Sequence, residues 1–234
     1  MRRHRGGMTM AIYIVTGGTR GIGKEVTKKL LERGDTVFAV SRTKTSLEAL
    51  QEELNHSRLF GTPCDVNNPE EAAAAVEQCH STCGEINGLV NNAGVGSFKP
   101  FEELTLEEWD AQLNTNLRGV FILSQQVYRW MKAAGGGEIV NVASNLGYVT
   151  RPGASAYCAS KWGLRGLSAT MNEEGREHGI RVSTVSPGLV QTDFAGVSAS
   201  EKPSGLTPEA VADAVIAALT ASKDVGSIEH RMEP

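Results

Sequence analysis

The chain has 234 residues, of which 40% are hydrophobic and 21% are charged, and its formal net charge is −4. These values are typical of one globular domain with a substantial core. The negative charge, without any basic stripe, argues against a nucleic-acid-binding protein. No apolar run reaches membrane-spanning length, so no membrane association is expected.

The start of the chain is rich in arginine, and the apolar run that follows is short. We therefore expect residues 1–8 to be a disordered extension and residues 9–234 to form a single domain. Cys79 and Cys83 have the spacing of one helix face but lack a His or Cys pair at zinc spacing, so no metal site is predicted. Reduced thiols are expected instead, which fits a cytoplasmic protein.

The first predicted strand, Ala11–Val15, runs into a glycine-rich turn and then into a helical pattern. In that context a glycine motif predicts a site for a dinucleotide phosphate, with a plain turn as the alternative. Gly17 is expected to permit the tight turn, Gly21 to leave room for a diphosphate, and Gly23 to let the helix approach the strand. The remaining cofactor residues predicted in this turn are Thr19, Arg20 and Ile22.

The second predicted strand, Thr36–Val40, ends where an NAD site normally has an acidic residue for the ribose hydroxyls. Ser41 and Arg42 stand there instead, and Arg20 lies in the glycine turn. Two guanidinium groups suit a 2′-phosphate, because they form charge-assisted and bidentate hydrogen bonds. The sequence therefore predicts NADP(H) as the cofactor.

A helix over Ser46–Leu54 and a strand over Arg58–Pro63 are predicted next, and Asp65 and Val66 follow this strand in the predicted cofactor site. Asp65 is predicted either to hold the adenine amino group or to cap the helix that begins near Pro69.

That helix is predicted to end at Cys83, and a strand over Ile86–Val90 follows it. Small and amide residues at the end of this strand suit the close approach of a flat cofactor, although such loops are also common turns. The cofactor residues predicted here are Asn92, Ala93 and Gly94.

A long helix is predicted from about residue 106 to residue 132, and Asn114 and Asn116 interrupt its apolar pattern. A buried asparagine usually satisfies backbone groups, so structure alone would explain either residue.

The stretch around Tyr157 suggests the chemistry. The run from Glu138 to Ser144 predicts a buried strand, and Tyr157 and Lys161 lie one turn apart on the next helix. An adjacent ammonium is expected to lower the pKa of the phenol, making Tyr157 a general acid/base for a carbonyl/alcohol pair. Ser144 would then hydrogen-bond the reacting oxygen. An isolated Tyr-x-x-x-Lys pair usually belongs to a solvated helix face. The surrounding motifs therefore decide whether this pair is catalytic.

After the Tyr157 helix, a strand over Ile180–Ser186 leads to Pro187, Gly188 and Thr192, whose hydroxyl is expected to bind a phosphate or carboxamide. Residues 195–207 are small and polar, as in a substrate lid or a surface linker. A helix over Pro208–Leu219 and a strand over Val225–Met232 are predicted last. The alternation predicts an α/β fold, a single Rossmann-type, doubly wound parallel sheet flanked by helices.

Taken together, the motifs resemble the classical short-chain dehydrogenase/reductase family over about residues 10–220, and within it most closely the 3-oxoacyl-[acyl-carrier-protein] reductases. The residues that carry the resemblance are Thr16-Gly-x-x-x-Gly-Ile-Gly23, Asn91-Asn-Ala-Gly94, Asn116, Ser144, Tyr157-x-x-x-Lys161 and Pro187-Gly188, with Tyr157 thirteen residues after Ser144.

The resemblance implies that Tyr157 donates a proton, that Lys161 lowers its pKa and holds the nicotinamide ribose, and that Ser144 orients the substrate carbonyl. Asn116 would support a water relay from Lys161. Pro187, Gly188 and Thr192 would lie at the nicotinamide end. The resemblance also implies a homotetramer or homodimer built through the helices at 106–132 and 155–174.

Two departures concern the substrate. The C-terminal Val-Asp-Gly-Gly strand that is usual in 3-oxoacyl-[acyl-carrier-protein] reductases is replaced here by Ser227-Ile-Glu-His-Arg-Met-Glu-Pro234. Where 3-oxoacyl-[acyl-carrier-protein] reductases have basic residues, this chain has Gly135 and His178. The predicted reaction is therefore NADPH-dependent reduction of a ketone or aldehyde carbonyl, with a 3-oxoacyl thioester left open. An NAD-linked alcohol or sugar dehydrogenase is one alternative. A non-catalytic dinucleotide-binding regulator is another, against which the intact set of catalytic residues argues.

Overall fold

The computed structural model describes residues 10–222 and 224–234, so the predicted extension over residues 1–8 lies outside the described part of the chain. The strands found in the described residues are β1 (Ile12–Thr16), β2 (Thr36–Ser41), β3 (Leu59–Pro63), β4 (Gly88–Asn91), β5 (Gly137–Val142), β6 (Ile180–Pro187) and β7 (Glu229–Met232). They form one sheet in the order β3-β2-β1-β4-β5-β6-β7, and every neighbouring pair is parallel.

Helices cover both faces of this sheet. They are α1 (Gly21–Glu32), α2 (Lys44–Leu54), α3 (Pro69–Cys83), α4 (Leu106–Leu113), α5 (Gly119–Ala134), α6 (Ser155–Gly175) and α7 (Pro208–Thr220). On one face Leu30 of α1 and Val215 of α7 pack in the same core cluster, and on the other face Val76 of α3 packs with Leu123 of α5. In residues 10–222 and 224–234, no helix combines the length and the apolar character that crossing a membrane would require.

The central strands are apolar because helices cover the sheet on both sides. Ile14 faces one core cluster and its neighbour Val15 faces the other, as the two-residue period of a strand requires. All eight residues of β6 are buried. The predicted doubly wound parallel sheet is confirmed.

The glycine turn after β1 has the predicted geometry. Gly17 has a φ of +61°, which a tight turn of this kind requires. A Cβ atom added at Gly23 would lie 2.2 Å from the carbonyl oxygen of Gly17, so only glycine lets α1 approach β1 this closely. The side-chain amide of Asn92 donates to the carbonyl oxygens of Thr16 and Gly17, at 3.0 and 3.2 Å, which joins the ends of β1 and β4.

The adjacency of β1 and β4 locates the ligand crevice. The strand order reverses its direction at this pair, and open α/β sheets bind ligands outside the carboxyl ends of the strands at such a point.

The predicted long helix contains a feature that the sequence did not indicate. Between α4 and α5 the residues Asn114–Arg118 form a π-helical turn, in which the N–H of Gly119 donates to the carbonyl oxygen of Asn114. A π turn inserts one extra residue into a helix and is frequent at functional sites. Asn116 lies within this turn and is fully buried.

Two smaller predictions are corrected. The N-cap of α3 is Asn68, whose Oδ1 accepts from the N–H groups of Glu70 and Glu71, so Asp65 does not cap this helix. Asp65 instead accepts from the N–H of Asn67. The last strand, predicted over Val225–Met232, covers only Glu229–Met232 among the described residues. This edge strand is mostly exposed and shows little apolar alternation, so the sequence does not indicate where it begins.

Candidate active site

A cavity of about 860 Å³ lies along the carboxyl ends of β1, β2, β4, β5 and β6. Most predicted site residues line it: Gly17, Thr19, Arg20, Gly21, Ile22, Ser41, Arg42, Asp65, Val66, Asn92, Ala93, Gly94, Ser144, Tyr157, Lys161, Pro187, Gly188 and Thr192. Gly23 and Asn116 are buried and are not part of the lining. Both residues lie behind the residues that line the cavity and support them.

The N-terminus of α1 faces this cavity. Its N-cap residue, Arg20, makes no side-chain capping hydrogen bond, so the N–H groups of the first turn lack the usual side-chain acceptor. Such a helix start binds anions through its N–H groups and its dipole. Thr192 stands opposite, since its Cγ2 would lie 3.1 Å from a Cβ atom at Gly21.

The cavity end beside β2 is lined by basic and hydroxyl side chains. Arg20 and Arg42 are exposed, and neither has a carboxylate partner among the described residues. The hydroxyl groups in this end of the lining belong to Thr19, Ser41, Thr43 and Ser46. This donor set fits a phosphate monoester, because guanidinium and hydroxyl groups are strong donors to its oxygens.

Tyr157 is buried at the other end of the cavity, beside Ser144. Burial raises the pKa of Tyr157 to about 12, although a hydrogen bond with Ser144 acts in the opposite direction. The predicted lowering of this pKa is therefore wrong for the protein described here, because the cost of charging a buried phenol exceeds the effect of nearby groups. The phenol is protonated at neutral pH, as a proton donor must be.

Lys161 is buried one helical turn from Tyr157. Its Nζ lies 5.6 Å from the centroid of the Tyr157 ring and donates to the carbonyl oxygen of Val142 at 2.9 Å. Burial lowers the pKa of its ammonium to about 8, so Lys161 is still mostly charged at pH 7. The ammonium is thus close to the phenol and fixed by the end of β5.

Asn116 supports the segment that follows β4. Its Oδ1 accepts from the N–H of Val95, and its Nδ2 donates to the carbonyl oxygen of Val95, both at 2.9 Å. Nδ2 also donates to the hydroxyl of Ser160, at 3.1 Å. Satisfaction of buried backbone groups accounts for this side chain, and the water relay implied by the resemblance stays a prediction.

Two aromatic rings that no sequence pattern indicates flank Tyr157. Phe98 lies at a centroid distance of 5.5 Å and Phe194 at 5.7 Å, and both meet the phenol ring edge to face. A Cβ atom at Gly96 would lie 2.7 Å from the Phe194 ring, so this glycine makes room for it. The space in front of the phenol is therefore bounded by apolar rings, which suits an organic carbonyl compound.

The segment after Thr192 forms one wall of the cavity. Phe194 and Val197 exchange backbone hydrogen bonds, and Lys202 is buried with its Nζ donating to the carbonyl oxygens of Thr192, Phe194 and Val197. Phe194, Val197 and Lys202 all line the cavity. The interpretation of residues 195–207 as a plain surface linker is therefore wrong. The feature of the sequence that could have indicated this structural role is Lys202, a single lysine in a segment of small and polar residues.

The comparison with protein families agrees with this geometry. The family model described as short chain dehydrogenase matches residues 11–203, and the chain belongs to this family of oxidoreductases. The predicted family is confirmed.

Individual relatives cover most of the chain. D-threitol dehydrogenase from Mycolicibacterium smegmatis is 38% identical over 83% of this chain and 75% of its own length. The 3-oxoacyl-[acyl-carrier-protein] reductase of Haemophilus influenzae is 33% identical over 93% of both chains. An alcohol dehydrogenase from the archaeon Thermococcus sibiricus, solved with 5-hydroxy-NADP, has a TM-score of 0.88 and is 29% identical, covering 95% of this chain and 96% of its own.

Proposed function

We propose that this protein is an NADPH-dependent carbonyl reductase that converts a ketone or aldehyde to an alcohol. The observation that carries the proposal is a buried, protonated Tyr157 beside Ser144 and Lys161, in a cavity whose far end holds two guanidinium groups. Neither guanidinium has a carboxylate partner within residues 10–222 and 224–234. A hydroxyl and an ammonium next to a phenol form an acid/base site for a carbonyl oxygen.

Three features support NADP(H) as the cofactor. The first turn of α1 offers uncapped N–H groups to a diphosphate, and Arg20 and Arg42 offer charged donors to a 2′-phosphate. A structural relative at 29% identity was solved with a derivative of NADP. When bound, NADPH supplies the hydride that reduces the carbonyl carbon. Asp65 remains a candidate for the adenine amino group.

The residues of the chain supply the proton and the orientation. Ser144 hydrogen-bonds the carbonyl oxygen and holds it against the Tyr157 hydroxyl. As negative charge develops on that oxygen, Tyr157 transfers its proton to it and the alcohol forms. The ammonium of Lys161 then stabilises the phenolate that remains, because opposite charges attract strongly in a buried site.

Exposed apolar side chains support the predicted homo-oligomer. Phe121 on α5 and Trp162 on α6 are each 47% exposed, and both lie on the helices at which the resemblance implies subunit contacts. We propose a homodimer or homotetramer formed through these helices. Sedimentation equilibrium of the wild-type protein and of a Phe121→Glu variant tests this, and an unchanged mass would contradict it.

The decisive experiment measures oxidation of NADPH in the presence of ketones, aldehydes and 3-oxoacyl thioesters. We expect turnover of at least one class, a weaker reaction with NADH, and a loss of roughly 10²–10⁴-fold in the Tyr157→Phe variant. The Kd of NADPH should be nearly unchanged in this variant, because only the hydroxyl is removed. NADPH binding without turnover of any carbonyl would favour the non-catalytic alternative. Turnover only as NAD-linked oxidation would favour the dehydrogenase alternative.

A further inference from the structure

The cavity continues beyond Tyr157 to a guanidinium group that the proposed reaction does not use. Arg151 lines the cavity, and its Cζ lies 4.7 Å above the centroid of the Phe98 ring. Phe98 is itself the ring that meets Tyr157 edge to face. A cation is therefore separated from the proposed proton donor by one aromatic ring.

Arg151 has no carboxylate partner among the described residues, unlike Arg165 and Arg181. Arg165 and Arg181 form ion pairs of 2.7 Å with Glu229 and Glu138. In the part of the chain that the structure describes, the contact found for the Arg151 guanidinium is with the face of the Phe98 ring. Its N–H donors are thus available to a ligand in the cavity.

Two carboxylates on the segment after β6 also line the cavity and are already engaged with backbone groups. Asp193 accepts from the N–H of Ala199, and Glu201 accepts from the N–H of Ser198, both at 2.9 Å. Lys202 also lines the cavity, but its ammonium is committed to three carbonyl oxygens. Arg151 is therefore a lining cation beside the Tyr157 and Phe98 rings for which no described carboxylate serves as partner.

The fold holds Arg151 in place over Phe98. The N–H of Lys99 donates to the carbonyl oxygen of Gly153 at 2.9 Å, which ties the segment carrying the ring to the segment carrying the guanidinium. Stacking on an aromatic face restricts a guanidinium and leaves its edge free to donate. A pre-positioned planar donor pair matches the two oxygens of a carboxylate.

We propose that Arg151 binds a carboxylate of the substrate, so that the preferred substrate is an oxo acid with its carbonyl at Tyr157 and its carboxylate at Arg151. The rings of Phe98 and Phe194 would cover the carbon chain between the two groups. A single guanidinium suits the single charge of a carboxylate, whereas the end of the cavity assigned to the phosphate has two guanidinium groups, those of Arg20 and Arg42. This inference rests on the proposed reductase function and names its substrate class.

The test compares short 2-, 3- and 4-oxo acids with their methyl esters, which keep the carbonyl and remove the charge. The measured quantity is kcat/KM for each acid and its ester, with NADPH, in wild type, Arg151→Met and Arg151→Lys. Arg129→Gln is the matched control, because Arg129 is an exposed arginine on α5 outside the cavity lining. Fluorescence titration gives the Kd of NADPH for each variant.

We expect wild type to prefer at least one acid over its ester. Arg151→Met should lower kcat/KM for that acid by roughly ten- to a hundredfold, as loss of a charge-assisted hydrogen bond does. The ester, the control variant and the Kd of NADPH should change little, and Arg151→Lys should retain part of the preference. The wild-type preference should also weaken with added salt.

Other outcomes overturn the inference in distinguishable ways. Equal losses for acid and ester would make Arg151 a structural support for Phe98. A wild-type preference for esters would assign an uncharged substrate. If no carbonyl compound oxidises NADPH, the proposed function itself has failed.

Discussion

At Tyr157, burial and hydrogen bonding act on the phenol in opposite directions, and burial has the larger effect. The pKa of about 12 keeps the proton on the oxygen at neutral pH. The neighbouring Lys161 has the opposite response, because burial disfavours its charged form and lowers its pKa to about 8. The two groups therefore titrate far apart.

This separation predicts the pH dependence of carbonyl reduction. Lys161 is a base whose charged form is lost as the pH rises through about 8, while Tyr157 keeps its proton until much higher pH. If the ammonium stabilises the phenolate formed during proton transfer, kcat/KM should be level near pH 6–7 and fall above about pH 8. Steady-state kinetics from pH 6 to 10 measure this. A profile that stays level to pH 10 would show that the charge of Lys161 does not contribute.

Arg42 should determine the choice between NADPH and NADH. In Arg42→Asp a phosphate partner is lost and an acceptor for ribose hydroxyls is gained. A charge-assisted hydrogen bond contributes about 1.5–3 kcal/mol, so NADPH should bind at least about tenfold more weakly. Titration of both cofactors measures the ratio of their Kd values. Lys132→Gln is the control, because Lys132 is an exposed lysine outside the cavity lining. An unchanged ratio in Arg42→Asp would assign the phosphate to Arg20 or Lys44.

At the scale of elements, the loop after β6 depends on one buried ammonium. The Nζ of Lys202 lies 2.6 Å from the carbonyl oxygen of Thr192 and 3.1 Å from that of Val197, and more distantly contacts that of Phe194. Lys202 thereby holds the backbone around Phe194, whose ring packs against Tyr157.

Lys202→Met should loosen this loop while leaving the fold intact. Loss of the donor leaves backbone acceptors unsatisfied, so we expect the free energy of unfolding to fall by about 1–3 kcal/mol. The KM for carbonyl substrate should rise more than kcat falls, because Phe194 bounds the substrate space and does not take part in proton transfer. Denaturant titration and steady-state kinetics measure both effects. Lys132→Met, a change at an exposed lysine, is the control, and kinetics equal to wild type in Lys202→Met would refute the role.

The sequence predicted some helices and strands more accurately than others. Central strands were predicted well because burial on both faces makes them apolar throughout. The edge strand β7 was overestimated, since its residues are mostly exposed and carry little pattern. The cap of α3 illustrates a different limit: Asp65 and Asn68 are both good capping residues, and only the backbone decides which one reaches the first-turn N–H groups.

At the scale of the whole molecule, Gly135 and His178 occupy the two positions where the resemblance implies basic residues. Gly135 and His178 belong to neighbouring segments, as a Cβ atom at Gly179 would lie 2.9 Å from the carbonyl oxygen of Gly135. Gly135 has no side chain, and His178 contacts Glu177 at 3.1 Å. Neither position carries a lysine or an arginine, so these two positions contribute little electrostatic steering of an acidic carrier protein.

We therefore expect small, unattached carbonyl compounds to be reduced at least as well as 3-oxoacyl chains on a carrier protein. The measurement is kcat/KM for a 3-oxoacyl carrier protein and for the matching free thioester, at low and high salt. A large advantage of the carrier protein that disappears with salt would contradict this expectation. It would also point to Arg129, Lys132 and Arg176 as the docking residues.

The sequence by itself determined the fold, the family and the proposed proton donor, because each depends on local order along the chain. Strand, glycine turn and helix follow one another within a short segment, and Ser144, Tyr157 and Lys161 lie on two consecutive elements. Alternating apolar segments are sufficient to predict a parallel sheet, since crossover helices must cover its faces.

Only the tertiary structure decided what surrounds the phenol. Phe98, Arg151 and Phe194 come from segments far apart in the chain, and no local pattern links them. The pKa of Tyr157 was predicted in the wrong direction for the same reason. Spacing along a helix indicates that an ammonium is near, but the desolvation that outweighs it depends on every element packed around the ring.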